Sequence, residues 1–195
     1  MERGGLETEL VVWATDKLKL KLKQYGESMN FEKNFAYIVR TRRSIHLIAM
    51  DVFGRDCVNL PTKERMLRRY REGVTRPRTD MVIKISKSVG VHPVHLCFMA
   101  HEDFRAMYVG GDRLFVPVTD NFARNLRLVL DGGEYDRWDV ADVVAGLLGK
   151  SSSTFTDLRT VSRMLKRERH TQLDEVFCIA EKFGMCPGHL LFGEV

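Results

Sequence analysis

The 195-residue chain has no apolar run approaching the roughly 20 residues that a bilayer-spanning helix needs, which excludes a transmembrane protein. Its first residues, Met1 to Leu10, are acidic and glycine-containing and lack the basic and apolar regions of a secretory signal. Cysteine is scarce: four residues, none in a CxxC pair, are too few for a disulfide scaffold and suit a reducing compartment. No nucleophile elbow, P-loop, HExxH or paired-carboxylate motif is present, so we expect neither an enzyme nor a cofactor. Neither charge sign dominates, with 31 Lys+Arg against 26 Asp+Glu and a net charge of +5. Hydrophobic residues at 44% and charged residues at 29% exclude disordered, collagen-like and low-complexity chains. What remains is a folded chain of one or two domains, long enough to bury a real core.

What the chain does have is an internal repeat. Thr62 to Phe98 aligns without gaps on Thr156 to Phe192, at an offset of 94. Eleven pairs are identical: Thr62/Thr156, Arg65/Arg159, Arg69/Arg163, Asp80/Asp174, Val82/Val176, Ile85/Ile179, Gly90/Gly184, Pro93/Pro187, His95/His189, Leu96/Leu190 and Phe98/Phe192. Further upstream, Asn34-Phe35-Ala36 and Asn121-Phe122-Ala123 open the two copies, followed by the helix-like stretches Ser44 to Gly54 and Trp138 to Gly149. Boundaries follow: an N-terminal extension at 1–30, a first domain at 31–104, a linker at 105–119 and a second domain at 120–195. The linker contains Gly110-Gly111 and the run Leu114 to Val118. In the extension, Leu6, Leu10 and Trp13 have helical spacing while Lys17 to Lys23 alternates, so periodicity leaves that segment open.

Each copy predicts a set of helices. Val82, Ile85 and Val89 share one face, with Thr79 or Asp80 as a cap and Gly90 as a left-handed stop. Pro93 then opens a new helix carrying Leu96 and Phe98 inward. Val176, Ile179, Phe183, Gly184, Pro187, Leu190 and Phe192 repeat these devices, with Thr171 and Asp174 spaced as a capping box. Before them sit two basic helices, 63–72 and 157–167. The first buries Leu67 and Tyr70, the second Val161 and Met164. Charge concentrates here: Lys63 to Arg78 carries a net +5 and Asp157 to Arg169 a net +3.

The stretches ERMLRRYREGVTRPRTDMVIKISKSVGV and RTVSRMLKRERHTQLDEVFCIAEKFGM resemble the helix-turn-helix family of λ-repressor and Cro, the XRE type. The resemblance spans Asn34 to Phe98 and Asn121 to Phe192, about two-thirds of the chain. It implies an all-α fold of two tandem helix-turn-helix domains with an N-terminal extension and a short linker. One departure is shared by both copies: Gly54 precedes Leu67 by 13 positions and Gly149 precedes Val161 by 12, a turn longer than the family's.

The function implied is a transcriptional regulator, repressor or activator, that inserts helices 63–72 and 157–167 into the major groove of a double-stranded operator. Mapped onto this chain, the base-reading positions are Glu64, Arg65 and Arg69 in the first copy and Arg159, Thr160 and Arg163 in the second. Phosphate contacts fall to Arg42, Arg43, Lys63, Arg68, Arg76, Arg78, Lys166, Arg167 and Arg169. The expected partners are DNA and a second copy of the chain as a homodimer, with no membrane. The expected location is the cytoplasm, at the nucleoid of a prokaryote, or in a phage or other mobile element. The alternative is a protein-interaction module (an adaptor, antitoxin or anti-activator) whose basic helices grip an acidic protein. Two clusters have a ligand-like look, His92, His95, Cys97 and His101, and Cys178, Cys186 and His189. Their neighbours are not shared between copies, so we read structural histidines and core thiols and no metal.

Overall fold

The computed structural model describes residues 29–108 and 120–193. The segments Leu6 to Trp13, Lys17 to Lys23, Gly110-Gly111 and Leu114 to Val118 lie outside the described residues. Within those residues the chain is all-α, with no β-strand, and no helix is long and apolar enough to cross a membrane. It forms two compact units.

The first unit runs α1 (Phe31–Thr41), α2 (Ile45–Phe53), α3 (Leu60–Arg71), α4 (Thr79–Val89), α5 (Pro93–Phe98) and α6 (His101–Tyr108). The second runs α7 (Phe122–Asp131), α8 (Arg137–Leu147), α9 (Phe155–Leu165), α10 (Leu173–Lys182) and α11 (Pro187–Phe192). The packing partners also repeat. In the first unit α1 lies on α3 and α5, α2 on α3 and α4, and α4 on α5. In the second α7 lies on α9 and α11, α8 on α9 and α10, and α10 on α11.

Helical spacing of apolar residues builds each core. Phe31, Phe35 and Ile38 line the buried face of α1 at i, i+4 and i+7, and Phe122, Leu126 and Val129 do the same on α7. Each such side chain contributes about 1.5–3 kcal/mol over leaving it in water. Gly90 and Gly184 follow the fourth helices at φ 68° and 61°, the left-handed conformation that costs glycine nothing. Pro93 and Pro187 start α5 and α11.

The two ends of each unit are tied by a buried asparagine. Asn34 Nδ2 donates to the carbonyls of His95 (3.2 Å), Leu96 (3.3 Å) and Met99 (3.0 Å). Asn125 Nδ2 donates to those of His189 (3.0 Å), Leu190 (3.2 Å) and Gly193 (3.0 Å). Asn30 N–H meets the Cys97 carbonyl at 2.8 Å, as Asn121 N–H meets that of Leu191 at 2.9 Å. These bonds correct the upstream register. Asn34 is the counterpart of Asn125, and Asn30-Phe31 of Asn121-Phe122, so the Asn-Phe-Ala match was displaced by one helical turn.

Other boundaries move for local reasons. The third helices start at Leu60 and Phe155, earlier than residues 63 and 157, because Pro61 and the Thr154/Asp157 capping box begin them. The α10 capping box is Gln172 with Glu175, one residue beyond Thr171 and Asp174. Thr79 is a buried first-turn residue of α4 and not its cap; Arg78 holds the cap position and its side chain caps no backbone N–H. Asp136 and Asp139 box the start of α8. α6 continues through Tyr108, into the segment 105–119 assigned to the linker.

Candidate nucleic-acid interface

On α3, burial of Leu67 and Tyr70 turns the opposite face outward, and Thr62, Arg65 and Arg69 stand exposed there at i, i+3 and i+7. On α9, burial of Val161, Met164 and Leu165 presents Thr156, Arg159 and Arg163 in the same way. Among the eleven identical pairs these three are the ones exposed in both copies; the rest are buried or half-buried in at least one. Thr62 and Thr156 thus join the site, and their identity across the repeat is the sequence signal that marks them. At 1.5 Å rise per residue each triad covers about 10 Å along its helix. No carboxylate pairs with Arg65, Arg69, Arg159 or Arg163 among the described residues. In the second unit Thr156, Arg159, Thr160, Arg163 and Lys166 line one solvent-open depression.

The remaining assigned residues divide by what they touch. Glu64 is committed within the protein: its carboxylate bonds Arg68 at 3.1 Å and the His46 ring at 2.7 Å. It neutralises a neighbouring charge and is not poised toward a base. Lys63 lies over the Phe53 ring at 5.2 Å. Arg42 donates to the Tyr108 carbonyl and covers the Tyr108 ring at 5.5 Å. Arg43 bonds the Ser88 carbonyl (2.7 Å) and Asp51 (2.6 Å), tying α2 to α4. Arg76 pairs with Glu32 at 2.6 Å, Arg169 with Glu175 at 2.6 Å, and Arg78 grips Asp80 through two bonds of 3.1 and 3.0 Å. Six of the nine cations assigned to phosphate, Arg68 through Glu64 included, therefore bond within the protein. Lys63 on α3 is half-exposed, and Lys166 and Arg167, just past the end of α9, are exposed.

Arg167 is unusual in its backbone. It is the one non-glycine residue with positive φ among the described residues, at 59°. Its counterpart in the first unit is Gly73, at φ 70°. Both turns close alike: Gly73 N–H bonds the Tyr70 carbonyl and Val74 N–H that of Arg69, as Arg167 bonds Met164 and Glu168 bonds Arg163. An L-residue held there is strained by about 1–2 kcal/mol, which glycine avoids.

The ligand-like clusters serve the fold. His92 Nδ1 accepts the Val94 N–H at 3.3 Å, and burial holds its imidazole below the ordinary value. His95 Nδ1 bonds the Tyr108 hydroxyl at 2.9 Å. His101 Nδ1 donates to Asn34 Oδ1 at 2.9 Å. Burial, then Arg105, Lys33 and Arg40, keep His101 below its ordinary pKa. Cys97 and Cys186 are core thiols, and burial pushes the Cys97 thiol well up. No group of three His, Cys, Asp or Glu side chains among the described residues is placed to hold a metal ion. No family model matches the chain, and no curated protein or solved structure matches it.

Proposed function

We propose that the chain is a sequence-specific double-stranded DNA-binding regulator of transcription, with α2–α3 and α8–α9 acting as two helix-turn-helix units. It acts without catalysis or cofactor. The observation that carries this reading is the repeated exposed triad. Packing accounts for the buried identities, but exposed side chains away from special features contribute within about 0.5 kcal/mol to stability. Identity at Thr62/Thr156, Arg65/Arg159 and Arg69/Arg163 therefore points to a common target outside the protein.

The chemistry of the triad fits the major groove. Arginine donates two parallel bonds to guanine O6 and N7, and threonine reaches base or phosphate. The four-residue step between the arginines is about 6 Å, close to two base-pair rises of about 3.4 Å. Arg68 beside Arg65, and Lys166 and Arg167 at the end of α9, flank this face as phosphate donors. Because Glu64 is bound to Arg68 and His46, the reading set becomes Thr62, Arg65 and Arg69 in the first unit. In the second it becomes Thr156, Arg159 and Arg163, with Thr160 beside them.

The test is binding to duplex DNA across a salt series. Affinity should fall steeply as salt rises, with a slope set by the number of phosphates engaged. Arg65→Ala or Arg69→Ala should cost about 1–3 kcal/mol on a preferred site and relax base preference there. No binding to any duplex at low salt, together with a stoichiometric complex with an acidic protein, would replace this reading with the protein-interaction module.

A further inference from the structure

The second unit carries a feature that the triad does not use: an exposed aromatic pair beside its basic face. Phe155, the first residue of α9, is 82% exposed. Its ring meets that of Trp138, itself 41% exposed on α8, at a centroid distance of 5.6 Å and an interplanar angle of 67°. That edge-to-face contact is a favoured aromatic geometry and draws the Phe155 ring toward α8. At 100° and 1.5 Å per residue, Phe155 and Arg159 lie about 40° apart around α9 and about 6 Å apart along it.

Among the described residues the first unit shows no exposed aromatic pair at the matching place, although Leu47 and Val58 stand exposed there. Pro61 stands where Phe155 stands, and Glu64 where Leu158 stands. His46, the second residue of α2 as Trp138 is of α8, bonds Glu64. One unit thus closes α2 on α3 with a polar clasp, while the other shows an apolar pair to solvent.

We propose that Phe155 is a specificity-determining residue of the second unit, packing on the 5-methyl group of a thymine at the edge of the sub-site that Arg159 and Arg163 read. Trp138 is its positioning residue. The proposal rests on the DNA-binding reading and sharpens it. Three observations select this occupant. Arg159, one helical turn along α9 and about 40° round it from Phe155, puts positive charge beside the ring, which favours a polyanion over a second copy of the same basic face. Two rings fall far short of the roughly 800 Å² per partner of a stable protein interface. The other exposed apolar side chains of α8 and its end, Leu147 and Leu148, lie about 14 Å from Trp138 along the axis. The thymine 5-methyl is the apolar group that the major groove offers. With Pro61 in the first unit, the two sub-sites share a guanine core and differ at this flank.

The test uses the full chain and a duplex recovered from random DNA by its own selection. Each thymine of the second sub-site is replaced in turn by uracil, which removes the methyl and nothing else. One replacement should weaken binding about fourfold, the worth of one buried methyl group. Phe155→Ala should bind the thymine and uracil duplexes equally, and Phe155→Leu should keep part of the difference. The exposed position lets both variants fold. The proposal is overturned if uracil is tolerated at every thymine, or if Phe155→Ala keeps the discrimination. It is also overturned if Phe155→Ala turns a dimer into a monomer with base preference unchanged. In those cases a guanine preference that still depends on Arg159 leaves the DNA-binding reading standing; loss of all sequence preference removes both.

Discussion

Exchanging Arg167 for glycine should stabilise the second unit while weakening its hold on DNA. Arg167 sits at φ 59° in a turn that Gly73 makes with the same two backbone bonds at φ 70°. Relieving a left-handed L-residue returns about 1–2 kcal/mol. Glycine's greater freedom in the unfolded chain takes back about 0.5–1 kcal/mol. From the midpoints of the two ranges the net gain is about 0.75 kcal/mol, a rise in Tm of about 3–6 °C for a domain of this size. Losing the guanidinium should remove about one phosphate contact and lower the salt slope of DNA binding by about one. The reverse exchange, Gly73→Arg, calibrates the argument. A Cβ at Gly73 would meet Glu32 Cγ at 3.8 Å and Arg76 Nη1 at 4.0 Å, which are ordinary contacts, so its cost comes from φ alone. Thermal unfolding by circular dichroism, followed by binding in a salt series, reads both effects. An unchanged or lower Tm for Arg167→Gly would refute the strain argument, and an unchanged salt slope would refute the phosphate contact.

Asn34→Ala leaves three carbonyls at the end of α5 without their amide donor, and the cost should be about 2–4 kcal/mol in urea unfolding. Asn125→Ala should cost less, because Asn34 Oδ1 also accepts from His101 whereas Asn125 Oδ1 is buried without a partner. Hydrogen bonds from Lys150 and Thr154 hold the Asp157 carboxyl below its ordinary pKa. Its stabilisation is therefore complete above the unfolded value near 3.9 and disappears as pH falls through the lower folded value. Asp157→Asn should flatten the loss of stability below about pH 4, and parallel urea midpoints for variant and wild type would contradict this. Glu64→Gln should tighten DNA binding at low salt and leave base preference unchanged, because the carboxylate is committed to Arg68 and His46. A changed base preference would restore Glu64 to the reading set.

Much of the fold was legible because it depends on periodicity and on residues with restricted backbones. The faces with Leu67/Tyr70 and Val161/Met164, the stops at Gly90 and Gly184, and the starts at Pro93 and Pro187 all follow from local rules. The register of α1 against α7 did not, because the repeat offset shortens upstream of Thr62 through loops of unequal length. The Asn34 and Asn125 bonds to carbonyls more than 60 residues away set that register, and composition gives no sign of them. The candidate site was half legible. Arg65, Arg69, Arg159 and Arg163 stand out as repeated cations, and helix spacing puts them on one face. That Arg76 is spent on Glu32 follows from tertiary packing, whereas Arg43 and Arg169 meet Asp51 and Glu175 across the turns that open α2 and α10. The exposure of Thr62 and Thr156 became informative only once burial had accounted for the other identities.

Selection of bound sequences from random double-stranded DNA by the full chain tests the central claim most directly. Enriched sites should carry two guanine-containing sub-sites. One should lose its preference in Arg65→Ala with Arg69→Ala, and the other in Arg159→Ala with Arg163→Ala. An unenriched pool, or an enriched site whose preferences survive all four substitutions, would contradict it.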